Sequence, residues 1–235
     1  MDKYSILKQY YGHSAFRAGQ EELIDSILSG RDALCVMPTG GGKSLCYQIP
    51  ALLLPGITLV VSPLISLMKD QVAALKSAGV PAAYINSSLT SEQIRTVYAR
   101  TRKGAYKLIY VAPERLETNS FLSLMQEMDV SFLAVDEAHC ISQWGQDFRP
   151  SYLGIVDFIN ALPRRPIVAA YTATATKQVQ SDILRLLQLQ SPYRIVTGFD
   201  RPNLYFDVRR PKNKFSALAA LIDERRGRSG IVYCA

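Results

Sequence analysis

The feature that most constrains the fold is a rhythm of short apolar runs at positions 33–37 (ALCVM), 57–61 (ITLVV), 108–111 (LIYV), 132–135 (FLAV) and 167–171 (IVAAY). Each is too brief for a helix and reads as a strand buried on both faces. A further short run at 82–85 keeps the beat. Between these runs lie helix-compatible stretches at 44–54, 65–77, 91–101 and 177–187. Strand and helix in alternation predict an α/β fold, a mostly parallel sheet with helices on both faces. In such sheets ligands sit at the carboxyl ends of the strands.

Composition excludes several other classes. At 235 residues with 48% hydrophobic and 20% charged side chains, the chain can bury a sizeable core. No apolar run approaches the roughly 20 residues that span a bilayer, and the opening Met1-Asp2-Lys3-Tyr4 is not a signal peptide. Cys35, Cys46, Cys140 and Cys234 form no Cys-x-x-Cys pair, which predicts reduced thiols and a cytoplasmic protein. The net charge of +7 is uneven: residues 201–228 hold eight basic and three acidic side chains, leaving the body nearly balanced. Bulk charge is therefore a weak argument for a nucleic-acid partner.

Residues 37–44 read MPTGGGKS, directly after the first apolar run and before a helical stretch. That is the strand, loop and helix context of a phosphate-binding loop. The backbone N–H groups of Thr39, Gly40, Gly41 and Gly42 can curl around phosphate oxygens, with the helix N-terminus behind them. Lys43 is expected to reach the β and γ phosphates and Ser44 to ligate Mg²⁺. The strict pattern has glycine where this chain has Met37.

A second motif, Asp136-Glu137-Ala138-His139, ends the run at 132–135. An acidic pair there suits a Mg²⁺ carboxylate, assigned to Asp136, and a carboxylate that polarises the attacking water, assigned to Glu137. In the segment 16–20 (FRAGQ), a Gln amide can offer a donor and an acceptor to adenine, and an Arg or an aromatic ring can stack on it.

Seven blocks together resemble the RecQ helicases: GHSAFRAGQ (12–20), MPTGGGKS (37–44), VSPLISLMKDQ (61–71), VAPERL (111–116), DEAHCISQWGQDFRP (136–150), YTATAT (171–176) and FDRPNL (199–204). The resemblance implies a RecA-like P-loop NTPase fold. It also implies an ATP-dependent DNA helicase moving 3′ to 5′, with ATP and Mg²⁺ as cofactors. Arg17 and Gln20 would bind adenine, with His13 at the stacking position. Thr172 and Thr174 would couple hydrolysis to movement.

Residues 140–150 resemble the aromatic-rich loop that links DNA binding to hydrolysis. Trp144 and Phe148 would stack unpaired bases and Arg149 would meet phosphate, while Gln146 stands where the family commonly has His. Ser62, Pro63, Asn86 and Arg115 fall at strand ends, where they would hold phosphates without reading sequence.

The expected organisation is a first RecA-like lobe over 1–205, then a linker and the start of a second lobe over 206–235, opening with a strand at 230–234. The expected partners are single-stranded and partly duplex DNA and a second RecA-like lobe in cis, with no membrane and no oligomer. A DEAD-type RNA helicase would carry PTREL at 63–67 and Asp in place of His139. A chromatin-type translocase should lack Gln143-Trp144-Gly145, intact Lys43 and Glu137 argue against a non-catalytic nucleotide-dependent module, and nothing resembles the substrate lid of a small-molecule P-loop kinase.

Overall fold

The structure, a computed structural model, describes residues 2–198 and 204–233. The FDRPNL block before Leu204, and Cys234 at the end of the expected final strand, lie outside the described residues. The chain divides into two compact units, Met1–Phe199 and Asp200–Ala235.

In the first unit, seven strands form one sheet: β1 (Ala33–Val36), β2 (Ile57–Val61), β3 (Ala82–Ile85), β4 (Leu108–Val111), β5 (Val130–Val135), β6 (Ile167–Thr172) and β7 (Tyr193–Val196). Their order is β3-β4-β2-β5-β6-β1-β7 and every pairing is parallel. The six expected strands are present, and β7 is an addition. β7 alternates half-buried and exposed residues beside β1 at the sheet edge, so it lacks the continuous apolar run of an interior parallel strand.

The connecting helices are α1 (Lys3–Tyr11), α2 (Gln20–Leu28), α3 (Lys43–Leu53), α4 (Ile65–Ser77), α5 (Ser91–Arg102), α6 (Pro113–Leu116), α7 (Asn119–Glu127), α8 (Ile155–Ala161) and α9 (Lys177–Leu186). They cover both faces because successive strand residues point to opposite sides. Ala33, Cys35, Val60, Ala134 and Tyr171 pack with Leu23, Tyr47 and Met68 of α2, α3 and α4. The alternate residues Leu34, Val36, Val61, Val135 and Ala170 pack with Phe121, Phe158 and Ile183 of α7, α8 and α9. Ile6 and Leu7 of α1 add a smaller cluster with Ile24 and Ile49.

The amino end of the sheet is fastened by one carboxylate. Asp32, its side chain 2% exposed, accepts from Arg165 Nη1 at 3.1 Å and Nη2 at 2.6 Å. It also accepts from the Val168 N–H at 2.8 Å and the Gln190 N–H at 2.7 Å. One side chain thus ties the starts of β1 and β6 to the approach to β7.

In the second unit, α10 (Lys214–Glu224) is capped by Asn213, which accepts from the Ser216 N–H. Residues 230–233, expected to begin a strand, form none. A strand needs a ladder partner, and the described residues of this unit supply none. Among the described residues, no helix is long and apolar enough to cross a membrane. Cys35, Cys46 and Cys140 are free and buried.

Candidate nucleotide site and the loop beside it

The strand register brings the motifs to one end of the sheet. Val36 pairs with Thr172, Val135 with Ala170, and Val61 with both Val135 and Val111. The backbone carries this alignment one residue further: Met37 N–H donates to the Thr172 carbonyl, Asp136 N–H to Val61 and Ser62 N–H to Val111. The phosphate loop, the acidic pair, Thr172 and Ser62 therefore share the carboxyl edge.

A cavity of about 420 Å³ opens there, lined by His13, Arg17, Gln20, Thr39, Gly40, Gly42, Lys43, Ser44, Asp136 and Glu137. Its size falls within the usual range for small-molecule sites. Ala15, Leu45 and Leu67 complete the lining, and no local sequence signal marks them. Gly42 adopts φ +83°, a conformation that favours glycine, and a Cβ there would lie 2.3 Å from Gln20 Nε2 and displace the amide that braces the loop. The Lys43 ammonium donates to the Met37 carbonyl at 3.0 Å, curling back over its own loop.

The segment expected at the base is built into the loop. Arg17 Nη1 donates to the Gly40 carbonyl at 2.5 Å. Gln20, 1% exposed, donates from Nε2 to the Gly41 and Gly42 carbonyls at 3.1 and 3.3 Å, and its Oε1 accepts from the Arg17 N–H at 2.9 Å. Its amide braces the phosphate loop rather than presenting a free donor and acceptor. His13 is exposed at the rim.

The acidic pair divides by environment. Asp136 is buried, and burial together with the neighbouring Glu137 charge raises its carboxyl to about 6, against the opposing pull of the Glu137 N–H and Lys43. Glu137 moves the other way, lowered chiefly by its hydrogen bond with His139. Glu137 sits in the left-handed region at φ 47°, ψ 43°, which costs a non-glycine residue about 1–3 kcal/mol. Two bonds hold it there: its N–H donates to Asp136 Oδ1 at 3.0 Å, and its carbonyl accepts from the Cys140 N–H, starting the 3₁₀ turn Ala138–Ile141. Tyr152 Oη donates to the Asp136 carbonyl from behind at 2.8 Å.

His139 joins the acidic pair to β6. Its Nδ1 lies 3.3 Å from Glu137 Oε2 and 3.0 Å from Thr172 Oγ1. The Cys140 sulfur and the Glu137 carboxylate raise its pKa to about 10, so it is held protonated. Thr172 Oγ1 also bonds the backbone of Thr174, whose side chain is exposed. Thr176, not either of these, caps α9.

The stretch 142–149 is a compact turn. Trp144 is 75% exposed, so it does not pack into the core, and Gln146 is exposed as well. Phe148 and Arg149 are half-buried. The Arg149 guanidinium donates to Asp147 Oδ2 and to the Pro63 carbonyl, spanning the turn and the end of β2.

The strand-end candidates separate. Ser62 is buried, and its hydroxyl has no hydrogen-bond partner among the described residues. Pro63 and Arg115 are half-buried and accessible in part. Asn86 departs from expectation. It is fully buried, its Oδ1 accepting from the Ser88 N–H and hydroxyl while Nδ2 faces the Met68 sulfur. Its amide closes an Asx turn inside the protein and is not presented to a strand of phosphates.

A glycine-rich loop and an acidic pair at the carboxyl edge of an all-parallel sheet define a nucleotide-binding lobe of the RecA-like class. A solved relative agrees at the level of fold: the Hef helicase domain of Pyrococcus furiosus superposes with a TM-score of 0.60 at 21% identity, covering 77% of this chain and 38% of that one. The chain belongs to the DEAD/DEAH box helicase family, whose model matches residues 17–182, and within it to the RecQ helicases.

It is 49% identical over 232 residues to the ATP-dependent DNA helicase RecQ of Bacillus subtilis, covering 98% of this chain and 39% of that protein. It is also 49% identical over 230 residues to the RecQ of Haemophilus influenzae, covering 98% and 37%. The chain thus spans about two fifths of the length of these relatives.

Proposed function

We propose that this chain is the ATP-binding first motor lobe of a cytoplasmic 3′–5′ DNA helicase. The observation that carries the reading is the convergence of Lys43, Ser44, Asp136 and Glu137 on one cavity, with the exposed Trp144 turn growing directly from the same acidic turn. The names of the relatives, ATP-dependent DNA helicases, agree with it.

The residues fit a Mg²⁺–nucleotide. The N–H groups of Thr39, Gly40 and Gly42 and the Lys43 ammonium, which now donates to the Met37 carbonyl, would neutralise phosphate charge, while the Gly41 N–H closes the loop on the Pro38 carbonyl. The Ser44 hydroxyl and the buried Asp136 carboxylate would hold Mg²⁺, which would supply charge stabilisation at the transferring phosphoryl group. Glu137, ionised and fixed by His139, orients the attacking water. Arg17 and His13, at the cavity rim, would meet the base, with Gln20 bracing the loop beside them. Thr172 and Thr174, through His139, and Gln146 in the exposed turn relay the state of the site to its surroundings.

Single-stranded DNA runs over the carboxyl edge. Trp144 and Phe148 stack bases at about 1–3 kcal/mol each, and Arg149 and Arg115 hold the backbone, with Pro63 and Ser62 shaping the strand end beneath them. Unwinding of partly duplex DNA requires a second RecA-like lobe in cis to supply an arginine finger, a contribution of about 10³–10⁵ in rate.

Phosphate release measured with and without single-stranded DNA, on these 235 residues and on a form extended through the second lobe, tests the account. Strong stimulation is expected only for the extended form. Equal stimulation of both forms would overturn the two-lobe requirement.

The raised Asp136 carboxyl adds a pH dependence. As pH falls through about 6 the group takes up a proton and loses its hold on the cation, so Mg²⁺–nucleotide affinity is expected to fall about tenfold per unit below that point. Folding stability runs the opposite way. The folded pKa lies above the ordinary 3.8, so the cost of this buried charge is fully present above about 6 and is relieved on acidification toward 3.8. Affinity titrations from pH 5 to 8 check the first claim, with Asp136→Asn expected to remove the slope. A slope that survives in Asp136→Asn would assign the titration to another group.

A further inference from the structure

Asp182 lies on α9, 40 residues beyond Ser142, yet it anchors the Trp144 turn from outside, as the Arg149 contact to the Pro63 carbonyl does from the other side. Its Oδ2 accepts from the Ser142 hydroxyl at 2.7 Å, and that hydroxyl accepts in turn from the Trp144 N–H at 3.2 Å. Ser142 is fully buried and Asp182 nearly so. Hydrogen bonding from Ser142, then from Arg185, holds the Asp182 carboxyl below its ordinary value. Arg185 Nη2 donates to the other oxygen at 3.0 Å, so both arms of the carboxylate are directed.

Two further features hold the turn from within. Gly145 N–H donates to the Ser142 carbonyl, and a Cβ on Gly145 would lie 2.2 Å from the His139 carbonyl. α9 itself follows directly from Thr172, Thr174 and the Thr176 cap. A single carboxylate thereby fixes the backbone that carries Trp144 to the helix issuing from the β6 end, against which His139 rests.

We propose that Asp182 is a positioning residue: through Ser142 it sets the pose in which Trp144 meets an unpaired base, and it transmits displacement of the turn into α9. The role of the base rests on the reading of the turn as a DNA-stacking element. The clamp itself rests on geometry alone. Rigid positioning of this kind converts a solvent-exposed aromatic into a defined platform, because a base that stacks need not first order its partner.

Trp144 is the only tryptophan of the chain, so its emission reports the turn directly. The experiment measures emission anisotropy of the 235-residue chain, first alone and then titrated with an oligothymidylate, for the unaltered protein, Asp182→Ala, Ser142→Ala and Asp182→Asn. Both alanine variants are expected to show lower Trp144 anisotropy and about tenfold weaker oligonucleotide binding. Asn retains an oxygen that accepts from Ser142, so Asp182→Asn is expected to restore most of both. The double variant Ser142→Ala with Asp182→Ala should lose no more than either alone, as expected for one coupled contact.

Unchanged anisotropy in both alanine variants would overturn the clamp. Emission indifferent to oligonucleotide in the unaltered protein, with anisotropy still lost in the variants, would refute the stacking reading and uphold the clamp. Should Asp182→Ala fail to fold, Ser142→Ala and Asp182→Asn decide the question by the same readout.

Discussion

Replacing Glu137 by Gln is expected to lower ATP turnover by about 10²–10⁴ while leaving nucleotide affinity within about threefold. The side chain keeps its shape, and a Gln carbonyl still accepts from His139, so the left-handed backbone and the acidic turn persist. What disappears is the negative charge that His139 holds ionised and that draws a proton from water. Phosphate release in the longest form of the protein that turns over ATP, set beside equilibrium binding of a fluorescent nucleotide, separates the two quantities. Equal loss of binding and turnover would move Glu137 from the chemistry to the binding of phosphate or metal. A non-catalytic binding module would keep its function in this variant.

The second large effect concerns stability. Asp32→Ala removes the acceptor of four hydrogen bonds at the amino end of the sheet and leaves Arg165 and two backbone N–H groups without their partner. Arg165 is partly exposed and keeps the Pro166 and Gln188 carbonyls, so the main cost is the two orphaned backbone N–H groups at about 1–3 kcal/mol each, and the melting temperature should drop by about 10 °C for a unit of this size. Thermal unfolding followed by circular dichroism measures it. A fall of less than about 3 °C would mean that water or relaxation satisfies the orphaned donors. Asp32→Asn, which retains one acceptor, should fall between.

The alternation of apolar runs and helical stretches made six of the seven strands legible. β7 escaped because an edge strand with one wet face shows neither a continuous apolar run nor a strong alternation in four residues. The short helices α7 and α8 and the amino-terminal α1 and α2 likewise carried no assigned signal, since their burial depends on partners far along the chain. Lys43, Ser44, Asp136 and Glu137 were legible because each motif places its chemistry next to a strand end, and the parallel register aligns those ends. Contacts that cross the chain were not. Gln20 bracing Gly41 and Gly42 spans about twenty residues, and Ser142 reaching Asp182 spans 40. Asn86 shows the converse: a strand-end position in sequence conceals whether the side chain turns outward or closes its own loop.

Asp32 and the acidic pair stand at opposite ends of the same sheet, and this polarity divides the consequences of amino-acid change. Substitutions around the Asp32 clamp alter how long the lobe survives heat while leaving the cavity's geometry to the rigid strands between. Substitutions at the other rim alter what the lobe does with its nucleotide and leave the fastening intact. A lineage carrying this lobe can therefore drift in thermal tolerance and in motor behaviour along two nearly separate axes, each adjustable without first repairing the other.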